Sequence, residues 1–308
     1  MKYKNLSLLK NFGTDAINRV SEHETKKQYS LKEFLRHIDS NNKKLKKIEA
    51  LLHGTFRSNQ AGTGFDFNEI REYKMGDDLR HISWSSTAKT GSLQTKEYFA
   101  EKEIRSYFLI DISNSMFCGN KLEPFIKTLA FLLNLSSSFS EKVGGVFYSE
   151  DIKYHFPAQE SNFQANVIFQ TCLNFYNSLN KKITDAPTIT NISKAIEFAK
   201  RYFNRKGIIF ILSDFLNLSN WEKPIYETAQ NQNIYSFQIY DPLDFILPKA
   251  GYITIIDPET KELCTVNTDS KTIQETYKKA TIEKQEKLNN FLKTVGANHM
   301  LIEMDDFK

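Results

Sequence analysis

Continuous apolar runs separated by helical patterns constrain this chain more than any other feature. "SYFLID" (106–111), "GIIFILSDF" (207–215) and "IYSFQIYD" (234–241) are predominantly apolar stretches of strand length. Strands of this kind are buried on both faces, as in a parallel sheet. Between them lie the helical patterns "KLEPFIKTLAFLLNLSSSFS", "SNFQANVIFQTCLNFYNSL", "NISKAIEFAKRYF" and "WEKPIYETAQNQ", with two short strands, "KVGGVFYS" and "DIKYHF". This alternation predicts an α/β fold from residue 106 onward, a doubly wound and mainly parallel sheet. Such sheets place ligands at the carboxyl ends of their strands, near the point where the winding reverses. The tail adds strands "GYITIID" and "ELCTVN", a helix over 271–294 and "HMLIEM", in a position to extend and close the same sheet.

The chain before residue 106 has a different texture. Residues 1–53 form an N-terminal helical segment, in which "LKEFLRHIDSNNKKLKKIEALLHG" has helical spacing and stops at Gly54. Its "KKLKK" cluster reads as a solvated helix face. Residues 54–105 form a small β-rich module, with Phe65, Phe67 and Ile70 on alternating positions and a turn at Gly91-Ser92. Residues 106–308 form the α/β domain with its C-terminal extension.

Composition bounds the function classes. The 308 residues are 40% apolar and 25% charged, an ordinary globular balance that excludes wholesale disorder. A formal net charge of +4 is too weak to argue for a nucleic-acid partner. The three cysteines, Cys118, Cys172 and Cys264, are odd in number and widely spaced, so neither a disulfide framework nor a zinc knuckle follows. Cys118 reads as a small buried residue. The N-terminus lacks the apolar stretch of a signal peptide. No run approaches the ~18 apolar residues of a membrane span. These features predict a cytoplasmic protein with no integral membrane segment.

The chemistry concentrates at "DISNSM", directly after the first apolar run. Asp111, Ser113 and Ser115 stand at i, i+2 and i+4 on the turn into a helix. Locally this spacing fits a nucleophile with helpers, a phosphate cradle, a metal site or a polar turn. By chance D-x-S-x-S occurs in roughly one chain in ten of this length. Two further stretches bear on it: Thr190 and Asn191 precede a helix, and Asp214 ends the run "GIIFILSDF". Hydroxyl and carboxylate oxygens from three loops suit a hard cation, Mg2+ or Mn2+. The enzyme alternative is a metal-dependent phosphoester hydrolase with Asp111 as nucleophile. Haloacid-dehalogenase-like phosphatases carry D-x-D-x-T at a similar strand end, but Ser113 replaces the second Asp, so the general acid is missing. No G-x-S-x-G elbow and no G-x-x-x-x-G-K-[ST] loop occurs.

The five residues Asp111, Ser113, Ser115, Thr190 and Asp214 resemble the metal-ion-dependent adhesion site of the von Willebrand factor A domain. That resemblance implies direct ligation of the cation by both serines and a direct or water-mediated role for Thr190. Asp111 and Asp214 would act largely through water. It also implies an open coordination position for a carboxylate of a partner, which is binding rather than turnover.

A second resemblance lies upstream. "REYKMGDDLRHISWSSTAK" is similar to the bacterial domain-of-unknown-function family 58, whose members carry Y-x-x-G-D-D-x-R-x-I-D-W-x-x-[ST]-A-[RK] before a von Willebrand A-like domain. The matching residues are Tyr73, Gly76, Asp77, Asp78, Arg80, Ile82, Trp84, Thr87, Ala88 and Lys89, with Ser83 in place of the family's Asp. By the chemistry of its residues, Gly76-Asp77-Asp78 makes a turn, Asp78 caps the segment after it, Arg80 pairs with a carboxylate and Trp84 anchors the module. Asp77, Asp78, Arg80, Trp84 and Lys89 are candidates for a partner or inter-domain surface. The resemblance further implies a partner, a MoxR-type AAA+ ATPase, and a role as adaptor in assembly or maturation of client proteins.

Overall fold

The computed structural model describes residues 30–36, 38, 42–60, 67–98, 104–179, 190–203, 206–216, 220–256 and 263–307. Residues 1–29 of the expected N-terminal segment, and Phe65, lie outside these. The chain divides into two compact units, residues 48–104 and the remainder.

In the larger unit, six strands form one sheet: β3 (Arg105–Asp111), β4 (Lys142–Tyr148), β5 (Ile152–Glu160), β6 (Ile208–Ser213), β7 (Asn233–Ile239) and β10 (Asn298–Ile302). Their order across the sheet is β10-β7-β6-β3-β4-β5. All neighbours are parallel except β4 and β5. This is the mixed, mostly parallel α/β sheet expected from the apolar runs. All six residues of β6 and the last six of β3 and of β7 are buried, which is why these strands read as continuous rather than alternating. Gly145 is required in β4, because a Cβ there would stand 2.6 Å from the Phe108 carbonyl oxygen on β3.

Helices cover the sheet. Helices α4 (Leu122–Phe139) and α5 (Ser161–Leu179) pack on each other, and short α1 (Leu31–Leu35) packs on both. Helices α6 (Ile192–Tyr202), α7 (Glu222–Ala229) and α8 (Lys271–Thr294) contribute Ile192, Ile196, Ile225, Leu288 and Leu292 to a core with Tyr107, Leu109, Val146 and Ile211 from the strands. In the C-terminal extension, β10 lies beside β7 as the sixth strand. The preceding strands β8 (Tyr252–Ile256) and β9 (Leu263–Asn267) instead form a separate antiparallel hairpin. The tail therefore extends the sheet through one strand only.

The smaller unit contains the end of α2 (Lys43–Gln60), an antiparallel pair β1 (Phe67–Glu72) and β2 (Gln94–Tyr98), and a helix α3 (Trp84–Thr90) between them. Gly91 ends α3 with φ of 75°, the left-handed conformation that releases the chain into β2. Ser83 occupies the cap position of α3 without a capping bond, its hydroxyl directed to Ser86 Oγ at 3.0 Å.

Candidate metal centre

Strands β3 and β6 are adjacent, although β4 and β5 separate them in sequence. The chain leaves β3 toward one edge of the sheet and returns to build the other, so the winding reverses between these two strands. Asp111 ends β3, and Asp214 follows the last residue of β6. The crevice at such a point is where ligands bind in doubly wound sheets.

Asp111 shapes its own turn. Its Oδ1 accepts the Ser113 backbone N–H at 2.9 Å. Its Oδ2 accepts the Ser213 hydroxyl at 2.6 Å. The turn then tightens into one 3-10 segment, Asn114–Phe117, which brings Ser113 Oγ and Ser115 Oγ to 3.0 Å. Asp214 Oδ1 accepts the Leu216 N–H at 3.2 Å, and its backbone carbonyl accepts Gln238 Nε2 at 3.1 Å. Phe215, buried directly after it, holds φ of 54°. A left-handed bulky residue costs on the order of 1–2 kcal/mol, and strain of this kind collects at functional sites. Thr190 is buried at the start of α6. Its neighbour Asn191 bonds by N–H to the Ser149 carbonyl oxygen at 2.8 Å, one residue beyond β4. All five expected residues are therefore buried at the carboxyl end of the sheet.

Lys121 was not legible as part of this set. Its side chain is 1% exposed, and its Nζ lies 3.0 Å from Asp214 Oδ2 and 3.2 Å from Asp244 Oδ2. Burial works against the ammonium, but the Asp214 and Asp244 charges outweigh it and hold its pKa above the usual lysine value. Burial raises the Asp244 carboxyl, against the pull of Lys121. Asp111 has no cation partner among the described residues. Burial first, and the Asp214 charge second, push it up to about 7, against the hydrogen bonds of Ser213 and Ser113.

These features fit a divalent cation. A spacing of 3.0 Å between Ser113 Oγ and Ser115 Oγ matches the ~3.0 Å edge of an octahedron with bonds of about 2.1 Å. Among the described residues Asp111, Asp214 and Asp244 face a single ammonium, that of Lys121, and a cation at the hydroxyl pair would offset the remaining negative charge. Among the described residues no group of three or more His, Cys, Asp or Glu side chains could hold a metal. The donor set is hydroxyl-rich instead, as suits a hard ion.

Three expectations change. The helix read as stopping at Gly54 runs through it to Gln60 as α2. Cys118 is exposed, not buried, because the chain turns outward after Asn114–Phe117 toward Gly119 at φ of 69°. Trp84 is 69% exposed at the start of α3, so the described contacts do not make it a buried anchor. The rest of its motif is locally paired. Arg71 grips Asp77 through two bonds of 2.7 and 2.9 Å and, with the Lys74 N–H, pulls its pKa down to about 2. Asp78 caps the turn Leu79–His81 and pairs with Arg80 at 2.6 Å. Lys89 is exposed on α3.

Sequence comparison places a family match over residues 69–287, to the family described as "Protein of unknown function DUF58". Among curated proteins, "Uncharacterized protein Mb1516" of Mycobacterium bovis is 25% identical over 218 residues, 70% of this chain and 67% of that protein. Among solved structures, the chain is similar to an aerotolerance-related membrane protein from Bacteroides fragilis. That likeness has a TM-score of 0.40 at 15% identity and covers 66% of this chain and 93% of the other. It is also similar to a von Willebrand factor type A protein from Catenulispora acidiphila, with a TM-score of 0.32 at 15% identity, covering 62% and 44% of the two chains. No helix among the described residues is long and apolar enough to cross a membrane.

Proposed function

The chain belongs to the family described as protein of unknown function DUF58, and from that premise we propose that it is a non-enzymatic interaction module built around a divalent cation. In this reading Asp111, Ser113, Ser115, Thr190 and Asp214 hold Mg2+ or Mn2+ and present it to a carboxylate of a partner protein. The observation that carries the reading is the 3.0 Å pair of Ser113 Oγ and Ser115 Oγ beside Asp111, a buried aspartate without a counter-ion among the described residues. When bound, the cation supplies Lewis acidity toward an incoming oxygen ligand. The chain's own part is to keep the hydroxyls converged, through the Asp111 bond to the Ser113 N–H.

The partner proposed is a MoxR-type AAA+ ATPase, with the chain acting as adaptor in assembly or maturation of a client protein. Support for the ATPase comes from family resemblance. Support for an acidic ligand comes from the chemistry of the site.

Capture of partners from native cell extract, in Mg2+ and in EDTA, tests the reading. Capture lost in EDTA and lost in Asp111→Ala, with the fold retained, is the expected result. Equal capture in EDTA would remove the cation from the mechanism.

A further inference from the structure

Among the described residues Lys121 is the only lysine or arginine that is fully buried. Taking an ammonium out of water costs several kcal/mol unless its partners are well placed, and here they are placed with care. Gly119, at φ of 69°, lies so close to Asp241 that a Cβ would stand 2.7 Å from Asp241 Oδ2. The same carboxylate accepts the Asn120 N–H at 2.8 Å. This clamp fixes the turn that delivers Lys121. The α4 residues Phe125 and Leu129, one and two turns on, continue the same buried face.

The ammonium therefore points at one of the two carboxylates of the candidate centre. Asp214 Oδ2 accepts from Lys121 Nζ, and Oδ1 accepts from the Leu216 N–H. A divalent cation and the ammonium would share Asp214, and two cations drawn to one carboxylate repel each other. Asp244 is the second carboxylate partner of the ammonium, at 3.2 Å. Its Oδ2 also accepts the Asp241 N–H at 3.0 Å, which ties the pair to the loop after β7.

We infer that Lys121 is a built-in competitor for the divalent cation: its ammonium, shared between Asp214 and Asp244, sets the affinity of the centre. This rests on the metal reading above and adds a determinant of affinity to it. Asp244 is the counterweight. While Asp244 holds part of the ammonium, Asp214 is freer for the cation. When Asp244 cannot, the ammonium falls to Asp214 alone.

Two variants of the full chain test this in opposite directions, read by Mn2+ binding in electron paramagnetic resonance. Lys121→Met raises Mn2+ affinity by about tenfold or more, and Asp244→Asn lowers it by about threefold or more. Removing a buried cation can prevent folding. If Lys121→Met does not fold, Lys121→Gln decides, tighter binding supporting the inference and equal or weaker binding overturning it. A wild type that binds Mn2+, with both variants within about twofold of it, overturns the role of Lys121 and leaves the metal reading standing. A Lys121→Met chain that binds where wild type does not supports the inference. No binding by either folded chain overturns both.

Discussion

The Ser213 hydroxyl donates a 2.6 Å hydrogen bond to Asp111 Oδ2, joining residues 102 positions apart at the carboxyl ends of β6 and β3. Ser213 Oγ in turn accepts the Phe215 N–H at 3.1 Å. One side chain thus seats Asp111 and helps hold the left-handed backbone that follows Asp214.

Ser213→Ala removes both bonds and leaves a buried carboxylate short of a donor. Loss of a donor to a buried charged group costs roughly 1–3 kcal/mol. Urea unfolding should show that loss as a lower midpoint at unchanged slope. An unshifted midpoint would mean that the bond contributes little in solution.

The turn before α4 depends on Gly119. Gly119→Ala places a Cβ against Asp241 Oδ2 and forces an alanine into a left-handed conformation. The backbone cost alone is on the order of 1–2 kcal/mol. Thermal unfolding should show a clear drop for this variant. By contrast, Gly54→Ala, where a Cβ meets nothing within 4 Å, should be neutral or slightly stabilising.

His299 predicts an acid sensitivity. Its Nδ1 lies 2.7 Å from Ser236 Oγ and its Nε2 lies 3.2 Å from Gln238 Oε1. Burial lowers its pKa from 6.5 to about 4. The folded value is depressed, so the unfolded chain takes up a proton first as pH falls. The stability from neutral His299 is present above about pH 6.5 and drains away toward pH 4, by at most about 3 kcal/mol. The buried Asp111 carboxyl, pushed up to about 7, acts in the opposite direction across that window, so the difference between chains isolates His299: wild type should lose more stability, or gain less, than His299→Gln. Parallel profiles would place the titration elsewhere.

Thiol accessibility separates the cysteines. Cys118 and Cys264 are exposed and Cys172 is buried, with burial pushing its thiol pKa up. An aromatic disulfide reagent should label two thiols in the folded chain and the third only in denaturant. One fast thiol instead of two would contradict the exposed position of Cys118.

Much of this architecture was legible because apolar periodicity reports burial directly. Strand β6 is apolar almost throughout and buried throughout, and the helical spacing over 161–179 and 271–294 coincides with α5 and α8. The tail was harder, since β8 and β10 are similar short runs and only register decides which one pairs with β7. At the site, Asp111, Ser113 and Ser115 were visible as a local motif. Lys121 was not, because its contacts to Asp214 and Asp244 span 93 and 123 residues of sequence. A signal existed nonetheless. Lys121 precedes Phe125 and Leu129 at four-residue intervals, so helical spacing already puts its charge on the buried face of α4. Cys118 was misread because a turn glycine one residue later sends the chain outward.

Calorimetric titration of Mg2+ into wild type and Asp111→Asn tests most directly whether the hydroxyl pair and its two aspartates bind a divalent cation. One saturable site in wild type, absent from the folded variant, is the predicted result. No binding heat in wild type, or the same isotherm in both chains, would contradict it.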